Sequence, residues 1–195
     1  MTPTADLARF IAEADLGKVP PDVLNKAKVA LTDCLGCALA GARFESSEIV
    51  LDYLRDAGGT PQATVVGTDL KTSLANAALA NGMLSSALLY DDTSLAMHGH
   101  STATLLPVVL AYGEKFGKSG REILEAYLVG FEVEAVLGVA LEPEHYEDGW
   151  HATSTIGTLG AAAAACRLLS LSVDQVSMAL GIATSHASGA RQNFG

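Results

Sequence analysis

Aromatic residues make up only 6% of this 195-residue chain, cysteine occurs 3 times, and 12 Lys and Arg stand against 22 Asp and Glu. Each shortage excludes something. Sandwiches and barrels draw on aromatic and β-branched residues, so a chain poor in aromatics and rich in Ala and Leu reads as helical. An odd number of cysteines does not make a disulfide framework. A net charge of −10 gives the wrong field for nucleic acid. The most apolar stretch, Ile156 to Cys166, is closed by Arg167 and falls short of the ~20 residues that a bilayer demands. Met1 to Leu16 has neither a basic start nor a long apolar run, so it does not read as an export signal. No glycine-rich phosphate loop is present, which argues against a nucleotide. The remaining chain is 49% hydrophobic, too apolar for disorder and long enough for one core. The expectation is a single all-α, cytoplasmic domain over residues 1–195.

Periodicity supports helices. Between Asp22 and Ala40, apolar residues recur at helical spacing, with Pro20-Pro21 before them and Gly41 after. Ser119 with Glu122, and Ser172 with Gln175, are capping-box patterns that open apolar stripes. Further helices are expected over 74–90, 104–116 and 155–169, the last rich in Ala and Gly and therefore buried on most sides. Only Ala63 to Val66 reads as a strand.

Three segments interrupt this rhythm with polar residues: Asp91 to Thr102, His145 to Ser154 and Ser185 to Gly195. They hold all 5 histidines and the single Trp. Reactive side chains on loops above a helical scaffold are the usual arrangement of a site. Asp91-Asp92 follows the apolar run Ala87 to Tyr90, which puts two carboxylates at the negative end of the expected helix. Their repulsion would let one keep its proton and act as an acid. His98-Gly99-His100 offers imidazoles suited to proton transfer near neutral pH, or, with Asp91 and Asp92, a metal site of no standard spacing. His151 precedes the Ala-rich helix, whose positive end keeps it neutral and able to accept a proton. Ser154 beside it lacks the Gly-x-Ser-x-Gly elbow of an acyl-transfer nucleophile. Cys34 and Cys37 lie in mid-helix on the core face, which is a packing arrangement, not a redox one.

Several motifs fall at these same loops: Asn81-Gly82, Asp91-Asp92-Thr93 followed by His100, Gly130-Phe131-Glu132-Val133, His145-Tyr146, Gly149-Trp150-His151, the helix Gly157 to Leu169, and Asn193-Phe194-Gly195. In order and spacing they resemble the MmgE/PrpD family, which includes 2-methylcitrate dehydratase, cis-aconitate decarboxylase and iminodisuccinate epimerase. Within it, the stretch His145 to Thr155 is most similar to the epimerase branch.

The resemblance implies a helical domain that carries much of an active site for small di- and tricarboxylates. It also implies a homodimer, no metal or organic cofactor, and a smaller α+β lid supplied by later sequence. A Lys-Pro-x-His-Gly segment is expected directly after Gly195. Residue by residue, it implies a catalytic set of Asp92, Thr93, His100 and His151, with Asp91 a neighbouring candidate. His100 and His151 would serve as base or acid, and Asp92 would orient or protonate. Arg191, the cation of the three polar loops, and Ser188 stand as substrate-binding candidates. Three positions depart from the family pattern: Leu89 and Ser86 where Asp and His are frequent, and Ser101 in place of the Pro after His100. The first counts against the decarboxylase. Two other readings compete. One is a metal-dependent hydrolase using Asp91, Asp92, His98 and His100, and the other a non-catalytic helical dimerisation domain.

Overall fold

The computed structural model describes residues 2–141 and 143–193, and of Leu16 the backbone only. Phe194 and Gly195, which end the last motif, lie outside the described residues. The described chain is all-α apart from one short hairpin. Its helices are α1 (Pro3–Glu13), α2 (Pro21–Gly41), α3 (Ser47–Ala57), α4 (Leu74–Ser86), α5 (Ser101–Phe116), α6 (Gly120–Leu141), α7 (Glu144–Glu147), α8 (Ala152–Leu168) and α9 (Val173–His186). Strands β1 (Ala63–Thr64) and β2 (Lys71–Thr72) pair antiparallel. Among the described residues, no helix is long and apolar enough to cross a membrane.

The central helix is α8. It packs against α5, α6 and α9, while α4 lies on α5 and α2 on α4. Small residues make this close stacking possible. A Cβ on Gly130 of α6 would stand 2.9 Å from the Gly160 carbonyl oxygen, so the two helices touch almost backbone to backbone. Leu105, Val109 and Tyr127 join Ala164 and Leu168 in one core cluster. Val129 and Val133 join Ala163, Cys166, Val176 and Leu180 in another.

Both expected capping boxes are formed. Glu122 N donates to Ser119 Oγ while Ser119 N donates to the Glu122 carboxylate. The Ser172–Gln175 pair does the same for α9. Cys34 and Cys37 are buried on α2, as packing requires. The strand is shorter than expected, because Val65 already turns: its N–H donates to Leu70 O across a turn that places Gly67 at φ +75°.

One correction bears on the site. The apolar run Ala87 to Tyr90 does not continue α4, which ends at Ser86. Leu89 adopts φ +53°, a left-handed conformation that stops a helix and turns the chain back. Asp91 stays by the last residue of α4, accepting from Ser86 Oγ, while Asp92 turns away from that helix. The Asp92 carboxylate has been carried to the start of α5.

Candidate active site

His100 is the N-cap of α5, and His151 is the N-cap of α8. The two helices run side by side, and their first turns are joined: His100 N donates to Thr153 Oγ1 at 3.0 Å. Gly99 allows this approach, since a Cβ there would lie 2.8 Å from Thr153 Oγ1. Residues far apart in sequence thus share one end of the helical stack.

The ring of His100 is oriented by the Asp pair. Its Nδ1 is 2.9 Å from the Asp92 carbonyl oxygen and 3.4 Å from Asp91 Oδ2. A carbonyl oxygen only accepts, so Nδ1 carries the proton. In the neutral ring Nε2 is then bare, the form that takes up a proton. Asp91 is buried, and its Oδ2 also accepts from Ser86 Oγ at 3.1 Å. Its Oδ1 has no hydrogen-bond partner. A buried carboxylate against a ring N–H stabilises the imidazolium that proton uptake creates.

Asp92 does something else. Its Oδ1 accepts from Thr102 N at 3.0 Å and its Oδ2 from Thr102 Oγ1 at 2.5 Å. It caps the first turn of α5 from outside the helix, where a negative charge meets the positive helix end. Thr102 Oγ1 spends its proton on Asp92, so Tyr127, 2.8 Å away, is the donor of their shared hydrogen bond. Asp92 thus accepts at both carboxylate oxygens, an arrangement that does not fit the role of a proton-carrying acid.

His151 lies with its Nδ1 3.1 Å from Ser154 Oγ, and its backbone N–H donates to Gly189 O at 2.9 Å. Burial, and then the nearby His100, holds its ring below the ordinary histidine value. It is neutral at pH 7, as the sequence indicated, although the leading cause is burial.

A cavity of about 420 Å³ opens at the first turns of α5 and α8, its lining including Ser86, Thr104, Thr153, Ser154, His186 and Ser188; His100 and His151 flank these residues in sequence but do not line it. Ser188 therefore reaches the pocket. Arg191 does not. Its guanidinium donates to Tyr146 O at 2.7 Å and lies 4.7 Å from the Tyr146 ring centre, which ties it to α7. Thr93 is exposed on the loop before α5. His98 is exposed at φ +50°. Among the described residues, no group of three or more His, Cys, Asp or Glu side chains is disposed to hold a metal ion. The hydrolase reading therefore lacks its ligand set, because Asp92 faces the start of α5.

Sequence reasoning missed Thr102, Tyr127, Thr104 and Glu134. The last had a visible signal. A carboxyl at Glu134 shares one face of α6 with Tyr127, Gly130 and Gly138, all buried.

The sequence profile of the MmgE/PrpD N-terminal domain matches residues 5–195. A cis-aconitate decarboxylase-like protein of Aspergillus oryzae is 34% identical over 95% of this chain and 40% of its own length. Cis-aconitate decarboxylase of Aspergillus terreus is 30% identical over 95% of the chain and 39% of its length, and the human enzyme 32% over 97% and 40%. The chain thus spans about two-fifths of the length of these curated relatives. Resemblance in the loops, the profile over nearly the whole chain and the helical fold agree, and the chain belongs to the MmgE/PrpD family.

Proposed function

We propose that this chain is the helical, proton-transferring part of a lyase or isomerase acting on a small di- or tricarboxylate. The supporting observation is the pair of histidines at adjoining helix starts, one facing a buried carboxylate through Nδ1 and the other held below the ordinary histidine value. Elimination of water, decarboxylation and epimerisation of such acids all develop charge at a carbon next to a carboxylate. They require a base, an acid and donors that hold the carboxylates. His100 acts as base through Nε2, and Asp91 stabilises the resulting cation. The His100 imidazolium then gives that proton up, and His151, held neutral on the adjoining helix, is a second acceptor. The first turn of α8 contains no acidic residue, and its Thr153 and Ser154 line the cavity, so a substrate carboxylate there would meet the positive end of the helix.

Among the described residues, no Lys or Arg lines this cavity. Cations from the remainder of the full-length protein would complete the clamp. In this reading the whole protein works as a homodimer, which light scattering tests. The relatives reported above are decarboxylases, while Leu89, exposed where the resemblance implies Asp, counts against that reaction, so dehydration, epimerisation and decarboxylation all enter the test. The test is to assay the full-length protein against 2-methylcitrate, cis-aconitate and iminodisuccinate. Turnover of one of them, abolished by His100→Asn, is the expected result. A protein that turns over none of the three, or whose rate is unchanged by that substitution, overturns the reading.

A further inference from the structure

Behind the cavity wall lies a carboxyl group that the reaction above does not use. Glu134 of α6 is fully buried. It fits only because α8 has glycine at the point of contact, since a Cβ on Gly160 would stand 2.3 Å from Glu134 Cγ. Its Oε1 is 2.6 Å from Thr104 Oγ1, and its Oε2 has no hydrogen-bond partner. The groups facing it are few. From α5 come the hydroxyls of Ser101 and Thr104, from the loop before α5 the like charge of Asp92, from α8 the Gly160 backbone, and on α6 itself the Tyr127 phenol.

Proton counting settles the direction of the contact. The Thr104 hydroxyl has one hydrogen, and it lies 2.7 Å from Ser101 O as well as 2.6 Å from Glu134 Oε1. Ser101 O can only accept. With Glu134 ionised, Ser101 O and Glu134 Oε1 compete for the one Thr104 hydrogen, and the Ser101 hydroxyl is left as the other donor for a buried anion that faces the charge of Asp92. With Glu134 protonated, it donates to Thr104 Oγ1, Thr104 donates to Ser101 O, and both contacts are satisfied. We propose that Glu134 is a positioning residue of the cavity wall: a neutral carboxylic acid that donates its proton to Thr104 Oγ1 and so fixes the Thr104 hydroxyl. Burial, the largest influence on this group, pushes its carboxyl up to about 8, in the same sense. Thr104 is held on its other side too, because its methyl packs where a Cβ on Gly157 would be only 2.6 Å away. With its proton committed to Ser101 O, Thr104 offers the cavity an acceptor and never a donor.

Infrared difference spectroscopy of the 195-residue protein at pH 7 tests this directly. The expected result is a carboxylic-acid C=O stretch that Glu134→Gln lacks and that fades as pH rises through about 8. Thr104→Val should move that stretch to the frequency of an acid without an acceptor, while Thr104→Ser leaves it in place. A merely structural glutamate would not respond to the Val/Ser pair. Absence of the band at pH 7, or a band unmoved by Thr104→Val, overturns the proposal. If Glu134→Gln does not fold, carboxyl NMR of the ¹³C-Glu-labelled parent and of Thr104→Val reads the same two outcomes. These arms do not depend on what the cavity binds, so they hold or fail independently of the polycarboxylate reading. In the full-length enzyme, Glu134→Leu should raise KM roughly tenfold, the worth of about one hydrogen bond. Glu134→Gln, which keeps a donor, should restore it. Equal KM values for the two variants also overturn the proposal.

Discussion

Two helices start side by side in this molecule, each with histidine at its N-cap, and their ends are put to different use. The start of α5 is closed: Asp92 reaches back and satisfies both the backbone N–H and the hydroxyl of Thr102. The start of α8 has no acidic residue in its first turn, and its Thr153 and Ser154 line the cavity. The same helix dipole is neutralised in one case and presented in the other. Similar sequence, a His followed by small and hydroxyl residues, therefore does not fix the role of a helix start. A carboxylate ten positions earlier decides it.

The largest effect should come from removing the histidines while leaving both helix starts intact. In the full-length protein, His100→Asn and His151→Asn should each lower turnover on the order of 10²–10⁴-fold, the usual contribution of a general acid or base. Melting should shift little, since neither ring fills an apolar core position. Parallel kinetics and thermal unfolding check this. A large loss of stability with turnover per folded molecule unchanged would make both histidines structural caps and erase the distinction between the two ends.

Asp92→Ala should break the closed end. It removes a charged cap and leaves the buried Thr102 hydroxyl without its acceptor. Losing a cap costs about 0.5–2 kcal/mol, and an unsatisfied buried polar group about 1–3 kcal/mol. The expected destabilisation is about 2–4 kcal/mol by chemical denaturation. Ser154→Ala, at the open end, should cost under about 1 kcal/mol for its single partly buried contact with His151. Equal costs would show that the two ends are alike.

How much of this was legible in the sequence follows from how local each cause is. Helices α2, α8 and α9 and both capping boxes depend on residues within a turn or two of one another, and periodicity found them. His100, His151 and the Asp pair stood out because polar loops interrupt apolar helices. The role of Asp92 did not, since it depends on Leu89 turning left-handed and returning the chain to α5. Glu134 lay on a legible face of α6, but its surroundings did not show, because the space that holds it is made by Gly160 on another helix. Arg191, chosen for its charge, is held instead by Tyr146, a contact that spacing does not reveal.

Acidity and alkalinity should act on this region with opposite sign. Glu134 has an ordinary value of 4.5 and is pushed to about 8 in the fold. Between these pH values the folded chain holds a proton that the unfolded chain has released, so its contribution to stability falls as pH rises. The slope approaches about 1.4 kcal/mol per pH unit for one proton. Glu134→Gln should flatten that limb, narrowing its stability gap to the parent at pH 5 and shifting it in the variant's favour by pH 8. Denaturant titrations of both proteins at the two pH values check this, and parallel curves would show that Glu134 is ionised in the fold.

The smallest effect belongs to His151 and tests whether the open end is sealed enough to keep its imidazole neutral. Its ring is held below the ordinary value of 6.5, by burial first and by His100 second. Below pH 6.5 the unfolded chain takes up a proton that the folded chain still refuses, so stability is present above that pH and is lost as pH falls through the folded value. The ring is only partly buried, so solvent screening keeps the size to a few tenths of a kcal/mol. His151→Asn should remove this acid limb and leave the alkaline limb of Glu134 in place. His100→Asn should shrink it in part, because one of its two causes is then gone while burial remains. Chemical denaturation of the three proteins at half-unit steps between pH 5 and 7.5 measures the difference. An acid limb that persists in His151→Asn would place its origin elsewhere, and one untouched by His100→Asn would mean that the two helix starts are electrostatically independent.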